Sequence, residues 1–326
     1  MIISKTPFRI SFVGGGSDLR DFYKNGFGAV LSTSIDKYVY LYLHKYFQEN
    51  CTILKYSKTE EIKHNDEIKH NIIREVFRYF NTTNVDFGSI SDIPGGTGMG
   101  SSSAFTSGLI NLCATYNGIT LTKNEIAKIA CHIEIDILGE PIGKQDQFGC
   151  SIGGLNLIKF HSNEKVSIEL VNMTFDNQNL LEENLFLYYT NLTRSASSIL
   201  TSQKIRTSTD KIIIKNLEIM TEMAIKLKIE LEDGNIDIMG DYLHEAWLRK
   251  KEISDNITNL DIDNLYNKGI KSGATGGKLL GAGGGGFILF YVPKKNKELF
   301  LELMKEEREL KFKFDNEGTS IIFNNK

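Results

Sequence analysis

Apolar residues in the first half of the chain follow two spacings, one typical of strands and one typical of helices. Runs rich in Ile, Val, Phe and Tyr predict strands, and apolar residues spaced three and four apart predict helices. The predicted strands are 2–13, 29–47, 85–92 and a hairpin pair within 153–171. The predicted helices are 66–80, 101–117 and a third that runs from the capping box of Thr122 and Glu125 to Gly139.

A polar segment without periodicity, 172–183, follows these elements and predicts a domain boundary. The predicted domains are 1–178 and 179–326. The elements predicted beyond the boundary are a strand at 185–190, helices near 195–209, 211–232, 236–251 and 262–272, a strand at 286–292, a helix at 294–309 and two closing strands. Strands and helices mix without strict alternation, so the fold class is α+β.

Composition excludes several classes of partner. The chain has 326 residues and a net charge of −3, so bulk charge favours neither nucleic acid nor a membrane surface. No apolar run approaches the ~20 residues of a membrane span. The sequence enters a strand-like stretch without the pattern of a signal peptide, and its four cysteines have no metal-binding spacing. We therefore expect a cytoplasmic protein with small, buried, reduced cysteines.

Segment 94–104 is rich in glycine and serine and leads into the helix predicted at 101–117; it is called the Gly-Ser loop below. Its glycines let the backbone approach a ligand closely, and the helix start turns free N–H groups and the positive end of the dipole toward one point. This arrangement predicts a phosphate site. The residues expected to contact a nucleotide are Pro94, Gly95, Gly96, Thr97, Gly98, Met99, Gly100, Ser101, Ser102 and Ser103.

The commoner phosphate loops do not fit this chain. The lysines that follow Gly143 and Gly277 lack the first glycine and the Ser or Thr of a Walker A loop. Segment 281–286 has the glycine spacing of a dinucleotide fold, but the run at 287–292 predicts a strand where that fold needs a helix. These glycines exceed what a turn needs, so we expect them to approach a ligand closely.

Three segments in register resemble the motifs of the GHMP kinases, the family of galactokinase, homoserine kinase, mevalonate kinase and phosphomevalonate kinase. Segment 94–104 is similar to the pattern P-x-x-x-G-L-G-S-S-A, with Met99 in place of Leu and Ser103 as an extra serine. Segments 6–18 and 281–286 are similar to the first and third motifs. The resemblance implies a two-domain fold with an N-terminal domain like domain 2 of ribosomal protein S5, a ferredoxin-like C-terminal domain and an active site in the cleft between them.

Glu134 lies on or beside the buried stripe of its predicted helix, where a carboxylate needs a partner. The residues alone favour an ion pair with a Lys or Arg. A Glu at this point of the GHMP kinases ligates Mg²⁺ together with a hydroxyl of the Gly-Ser loop. The resemblance therefore implies ATP and Mg²⁺ as cofactors, with Mg²⁺ held by Glu134 and Ser102, or by the neighbouring Ser101.

Asp146 lies between Gly143 and Gly149, in a segment that by itself predicts a polar surface turn. The resemblance to galactokinase implies a sharper role, in which Asp146 orients the acceptor hydroxyl and accepts its proton, or orients it only. Arg9 occupies the Lys or Arg position of the first motif. We expect it to pair with a carboxylate such as Asp146, which would keep Asp146 ionised, and to stabilise charge on the transferring phosphoryl group.

The first glycine turn is expected to contact the acceptor, a small-molecule sugar phosphate. Segment 14–18 replaces the G-E-H-T-D of galactokinase and keeps only the aspartate that holds sugar hydroxyls, so the resemblance does not extend to galactose itself. The residues expected to contact the acceptor are Gly15, Gly16, Ser17, Asp18, Lys144, Thr193, Arg194, Gly283 and Gly284.

Within the family, the chain resembles the kinases that act on D-glycero-D-manno-heptose 7-phosphate. The segments that carry this resemblance are 6–18, 56–60, 141–147 and 192–197. It implies phosphorylation of the anomeric C1 hydroxyl to the 1,7-bisphosphate, toward GDP-heptose for surface polysaccharide. Arg194, beside Thr193 at a predicted helix start, is the first candidate to hold the 7-phosphate, ahead of Lys144 and Arg20; a solvent-facing Arg194 is the alternative.

Two other functions stay open. A GHMP kinase for an unphosphorylated sugar such as fucose would not need Arg194, so replacing it would barely change the KM for the acceptor. A non-catalytic sugar-phosphate or nucleotide-binding protein on the same scaffold usually lacks the catalytic Asp or the Mg²⁺ carboxylate, whereas Asp146 and Glu134 are both present. The sequence does not predict the oligomeric state.

Overall fold

The computed structural model describes residues 1–192, 210–253 and 257–325. The strands are β1 (Ile2–Val13), β2 (Phe27–Lys45), β3 (Thr52–Lys55), β4 (Thr59–Ile62), β5 (Val85–Ser91), β6 (Leu155–His161), β7 (Val166–Leu170), β8 (Leu185–Tyr189), β9 (Gly276–Leu279), β10 (Phe287–Tyr291), β11 (Glu309–Leu310), β12 (Phe314–Asp315) and β13 (Ser320–Asn324). The helices are α1 (Arg20–Tyr23), α2 (Asn71–Tyr79), α3 (Ser101–Tyr116), α4 (Lys123–Cys131), α5 (Gln145–Ile152), α6 (Phe175–Asn184), α7 (Lys211–Glu232), α8 (Met239–Ile253), α9 (Leu260–Lys271) and α10 (Lys297–Met304). A π-helical turn at His132–Ile137 continues α4.

The long strand β2 organises the larger sheet. β1 pairs antiparallel with it from Ile2, opposite Leu43, to Val13, opposite Leu31. The other edge of β2 is shared, since β6 pairs with its first part and β5 with its last part. The strand order along the main path is β13-β1-β2-β5-β3-β4, with β6 and β12 on β2 and β7 on β6. Helix α3 packs against β1 and β2, so its apolar residues lie in the main core.

The second sheet is antiparallel, with strand order β11-β8-β10-β9. All residues of β10 are buried, in accord with its unbroken apolar sequence. Trp247 of α8 lies in a separate core with Tyr188 and Phe290 of this sheet. The end of the chain returns to the larger sheet, where β12 pairs with β2 and β13 with β1. Residues 314–324 therefore do not pack as part of the second sheet.

Several predictions that rest on regular hydrophobic spacing are confirmed, whereas the helix predicted at 294–309 is wrong at its end, because α10 ends at Met304 and β11 lies at Glu309–Leu310. β1 and α7 have the predicted bounds, α3 ends one residue earlier than predicted, and Thr122 and Glu125 form the capping box. The cysteines are buried and unpaired, as expected. No helix in the described part of the chain is long and apolar enough to cross a membrane.

The prediction of an irregular segment at 172–183 is wrong, because α6 occupies Phe175–Asn184. Thr174 caps this helix by accepting a hydrogen bond from the Asn177 backbone N–H, and its anchor is the buried Leu181. Two local features thus hold a helix that has little apolar periodicity. The boundary between 178 and 179 falls inside α6 and stays a prediction, and the helix predicted at 195–209 lies outside the described residues.

Two glycine-rich loops meet between the two sheets. Gly281 has φ +68°, and a Cβ built on it would lie 2.2 Å from the Gly98 Cα. A Cβ on Gly286 would lie 2.3 Å from the Thr97 carbonyl oxygen. The glycines of segment 281–286 therefore let its backbone pack against the backbone of residues 97–98. This packing is a second use of these glycines, beside the predicted close approach to a ligand.

Replacing Gly281 by Ala tests this contact against a matched control. Gly139 also has φ +68°, but a Cβ there would meet nothing within 4 Å. We expect Gly139→Ala to lower the free energy of unfolding by about 1 kcal/mol, since only the left-handed backbone is strained. Gly281→Ala adds a clash with backbone and should cost about 3 kcal/mol or more. Urea unfolding of both variants measures the difference, and equal losses would contradict the role given to the contact.

Candidate active site

A cavity of about 390 Å³ lies where the two glycine-rich loops, the 15–19 turn and the start of α5 meet. Its charged and polar lining residues are Arg9, Ser11, Asp18, Ser101, Ser102, Ser103, Glu140, Gln145, Asp146, Lys250 and Lys278. Leu19, Met220 and Ile253 give it an apolar side. A cleft that combines charged and polar side chains with apolar ones suits a hydroxylated, charged ligand.

The Gly-Ser loop has the geometry that its sequence predicts. Gly96, Gly98 and Gly100 all have positive φ, between 74° and 79°, and Gly100 is the N-cap of α3. No side chain caps this end of the helix, so its first N–H groups are left for a ligand. The loop therefore offers backbone donors and a helix dipole to the cavity.

Only part of the predicted nucleotide segment reaches the cavity. The residues that line it are Gly96, Gly98, Gly100, Ser101, Ser102 and Ser103. Pro94 and Gly95 lie outside it at the surface, and Thr97 is buried with its hydroxyl donating to the Pro94 carbonyl. Met99 points into the main core. The structure thus narrows the predicted site to alternate glycines and the three serines.

Arg9 and Asp146 form a buried ion pair at the centre of the cavity. The Arg9 side chain is 3% exposed, and its Nε and Nη2 donate to Asp146 Oδ1 at 2.9 and 2.7 Å. Nη1 donates to the Gly98 carbonyl at 2.8 Å. Asp146 is 28% exposed and lies in the first turn of α5, so the surface turn predicted around it is wrong. The pairing itself agrees with the expectation for Arg9.

Asp18 is held beneath the first glycine turn. It accepts hydrogen bonds from the Gly16 backbone N–H and from the backbone and side-chain N–H groups of Gln145. Burial, together with the nearby charge of Asp146, raises the pKa of Asp18 from 3.8 to about 6. Gln145 is the first residue of α5, so Asp18 also fixes where the helix that carries Asp146 begins.

Glu134 lies directly behind the serines of the cavity wall, in the π-helical turn after α4. It accepts hydrogen bonds from Ser102 at 3.1 Å, from Ser103 and Thr106 at 2.8 Å, and from Gln147 at 2.6 Å. No Lys or Arg of the described residues pairs with it, so the ion pair favoured by the residues alone is not found there. Burial raises the pKa of Glu134, while these hydrogen bonds oppose the rise.

The oxygen atoms of Glu134 and Ser102 are suitable ligands for Mg²⁺. A buried carboxylate is ordinarily paired with a cation or coordinates a metal, and here every described partner is a neutral hydroxyl or amide. Ser102 lies between the carboxylate and the cavity, so the two hard oxygen ligands implied by the resemblance lie side by side.

Several predicted acceptor residues do not face the cavity. Ser17 is buried, and its hydroxyl donates to the Gly14 and Ala29 carbonyls beneath the turn. Lys144 pairs with Glu164 at 2.5 Å and lies over the Tyr23 ring. Those side chains stabilise the scaffold.

The remaining predicted acceptor residues divide into three groups. Gly15, Gly16 and Gly283 line the cavity together with Asp18. Gly284 does not; its backbone N–H donates to the Ile257 carbonyl. Thr193 and Arg194 lie outside the described residues. Arg20, a weaker candidate for the 7-phosphate, pairs with Asp136 and Glu164 at the surface.

Sequence reasoning missed two lysines of the cavity, Lys250 of α8 and Lys278 of β9. Lys278 is 3% exposed and donates to the Ser11 and Phe12 carbonyls of β1, both at 2.9 Å. Its place in a strand of small and apolar residues was the one available signal. Lys250 is the middle residue of a basic run, Arg249–Lys251, which is typical of a solvated helix end.

Comparison with known proteins identifies the class. The model of the GHMP kinases N terminal domain matches residues 68–154, and the GHMP kinases C terminal model matches residues 227–307. The chain is 31% identical over 333 residues to the D-glycero-alpha-D-manno-heptose 7-phosphate kinase of Campylobacter jejuni, with 97% of each chain covered. The chain therefore belongs to the GHMP kinase family, whose members use ATP, and has its two-domain fold.

Solved structures agree with this assignment. A putative sugar kinase from Campylobacter jejuni superposes with a TM-score of 0.80 at 27% identity, covering 98% of this chain and 97% of that one. A D-glycero-D-manno-heptose 1-phosphate kinase from Bacteroides thetaiotaomicron superposes with a TM-score of 0.82 and full coverage of both chains, at 22% identity, which speaks for the fold alone.

Asp18 generates a prediction about stability and pH. The pKa of Asp18 is about 6 in the folded chain, against the ordinary aspartate value of 3.8 in an unfolded chain. This difference corresponds to about 3 kcal/mol. Because the folded pKa is the higher, this contribution is fully present below pH 3.8 and is lost as the pH rises through 6. We expect the free energy of unfolding of the wild type, minus that of Asp18→Asn, to rise by about this amount between pH 7.5 and pH 4. A pH-independent difference would show that Asp18 has an ordinary pKa.

Proposed function

We propose that the chain transfers the γ-phosphoryl group of ATP to the anomeric C1 hydroxyl of a heptose 7-phosphate, which yields the 1,7-bisphosphate. The observation that carries the proposal is the Arg9–Asp146 pair, which contacts the Gly-Ser loop directly and lines one cavity with it. The acceptor is proposed from the similarity, over nearly the whole chain, to the Campylobacter heptose 7-phosphate kinase. The unpaired cysteines support a cytoplasmic location.

Asp146 has the geometry of a base in this reaction. Arg9 places both of its donors on Oδ1, and no described residue donates to Oδ2. The free Oδ2 accepts the proton of the acceptor hydroxyl as the hydroxyl oxygen bonds to the γ-phosphorus. The bond from that phosphorus to the β–γ bridging oxygen breaks, and ADP leaves with the electron pair. Arg9 holds Oδ1 through two hydrogen bonds and so fixes the orientation of the carboxyl group.

Binding of both substrates follows from the cavity walls. The backbone N–H groups at the start of α3 hold the phosphates of ATP. Ser102 and Glu134 would hold Mg²⁺, which neutralises phosphate charge when bound. Asp18 and the 15–16 backbone hold sugar hydroxyls beside Asp146. Thr193 and Arg194 are the proposed contacts of the 7-phosphate. Lys144, the other candidate, already pairs with Glu164.

Replacing Asp146 by Asn tests the reaction. We expect kcat to fall by a factor on the order of 10² to 10⁴, since the amide cannot accept the proton. Asp136→Asn is the control, because Asp136 pairs with Arg20 at the surface. ADP release is measured with heptose 7-phosphate, mannose 6-phosphate, free heptose, fucose, galactose and mevalonate. Turnover of free heptose or fucose in preference to the 7-phosphate would overturn the proposed acceptor but keep the kinase. ATP binding without turnover would favour a binding protein.

Ser102→Ala and Ser101→Ala test the proposed Mg²⁺ site. Ser102 donates to Glu134 Oε1, whereas Ser101 lines the cavity without a described bond to that carboxylate. We expect Ser102→Ala to raise the Mg²⁺ concentration needed for half-maximal ATP binding about tenfold, and Ser101→Ala to leave it unchanged. Calorimetry of ATP binding over a Mg²⁺ series gives the answer without turnover. The reverse pattern would move the ligand to Ser101.

A further inference from the structure

The cavity holds more positive charge than the catalytic pair explains. Among the described residues, Arg9, Lys250 and Lys278 line it as cations. Arg9 is bound to Asp146, and Lys278 is almost completely buried, with two of its three donors on β1 carbonyls. Lys250 differs from both, since its described partner is a single backbone oxygen.

Lys250 reaches the cavity from the last turn of α8. Its Nζ donates to the Gly281 carbonyl, at the start of the 281–286 loop. That loop lies backbone to backbone against Gly98, whose carbonyl accepts from Arg9. One ammonium N–H is therefore used to fix the side chain, and two remain to face a ligand.

The surroundings of Lys250 leave its charge uncompensated. None of the described carboxylates lies within salt-bridge distance of it. Burial, and then the positive charge of Arg9, lower the pKa of Lys250 to about 8, while Asp146 opposes this effect. Burial, with Lys250 and Arg9, also lowers the pKa of Lys278. A partly buried cation beside two others is costly unless an anion joins them.

We propose that Lys250 contacts the phosphoryl group in transfer and, opposite Arg9, stabilises the charge that spreads over its oxygens. This role rests on the proposed function and adds a catalytic residue to it. Lys250 belongs to the second half of the chain, whereas Arg9 and Asp146 belong to the first. The reacting group would then be held between cations from both halves.

The position of Lys250 favours the transferring group over the acceptor's own phosphate. Its fixed N–H lies on Gly281, next to Gly98 of the Gly-Ser loop, and both Arg9 and Asp146 act on its charge. Asp146 marks the point where the acceptor hydroxyl meets the γ-phosphorus. A phosphate at the far end of a seven-carbon sugar would lie away from that point.

Lys250→Gln is the test variant, because the amide keeps a donor for the Gly281 carbonyl and removes the charge. Lys250→Arg keeps the charge, and Lys251→Gln changes the neighbouring exposed lysine. Calorimetry compares the binding affinity of ADP alone with that of ADP plus aluminium fluoride, which mimics the phosphoryl group in the transition state. We expect Lys250→Gln to weaken binding of the mimic about 100-fold while ADP binding stays unchanged. Lys250→Arg should restore most of the loss, and Lys251→Gln should behave as the wild type.

Steady-state kinetics completes the test. We expect Lys250→Gln to lower kcat about 100-fold without raising the KM for the acceptor. A higher KM for a phosphorylated acceptor alone, with kcat unchanged, would assign Lys250 to the acceptor's phosphate and overturn the proposal. Equal loss of ADP and mimic binding, or no loss of either, would overturn it as well. If no sugar is turned over by the wild type but the mimic still depends on Lys250, the proposed acceptor fails and the role of Lys250 stands.

Discussion

The buried guanidinium of Arg9 is the constraint around which the site is built. One side chain binds Asp146 of α5, the Gly98 carbonyl of the Gly-Ser loop and, through its own backbone, the Met99 carbonyl. An arginine that is 3% exposed cannot stay unpaired, so the loop and α5 must come to it. Gly100 allows this approach, because a Cβ there would lie 3.2 Å from the Arg9 Cγ. Asp146, the proposed base, and the Gly-Ser loop are thus placed by a single side chain.

Asp146 and Glu134 have different hydrogen-bond partners, and the difference suits the roles proposed for them. Asp146 accepts two hydrogen bonds from a cation on one oxygen, which leaves the other oxygen free of described donors. Glu134 is surrounded by neutral donors, so its charge is solvated but not cancelled. A proton acceptor needs one oxygen free to take up the proton. A ligand of a divalent cation must instead keep its negative charge for the metal. The two environments therefore fit the base role proposed for Asp146 and the metal-ligand role proposed for Glu134, residues only 12 positions apart.

Local sequence was sufficient where the structure depends on local chemistry. The glycine spacing and the apolar run after it predict the Gly-Ser loop and α3, because both depend on residues close in sequence. Arg9 and Asp146 lie 137 positions apart, so local sequence could suggest a carboxylate partner for Arg9 but could name Asp146 only as one candidate. The neutral partners of Glu134, the burial of Lys278 and the place of Lys250 in the cavity wall depend on packing between distant elements, and lysine is usually a surface residue. Helix α6 was missed because a cap and one buried leucine replace the periodicity that sequence reasoning needs.

Both halves of the chain contribute charged residues to the cavity, and this bears on how the two halves are joined. The carboxylates Asp18, Glu134 and Asp146 lie on the first half, and Lys250 and Lys278 on the second. Direct ion pairs across the cleft would hold the halves together but would consume the charges that a ligand needs. The described joints use backbone instead: Gly281 against Gly98, and the Lys278 ammonium on two carbonyls of β1. Because neither joint is an ion pair, Lys250 stays available for the role proposed for it while the two halves remain joined.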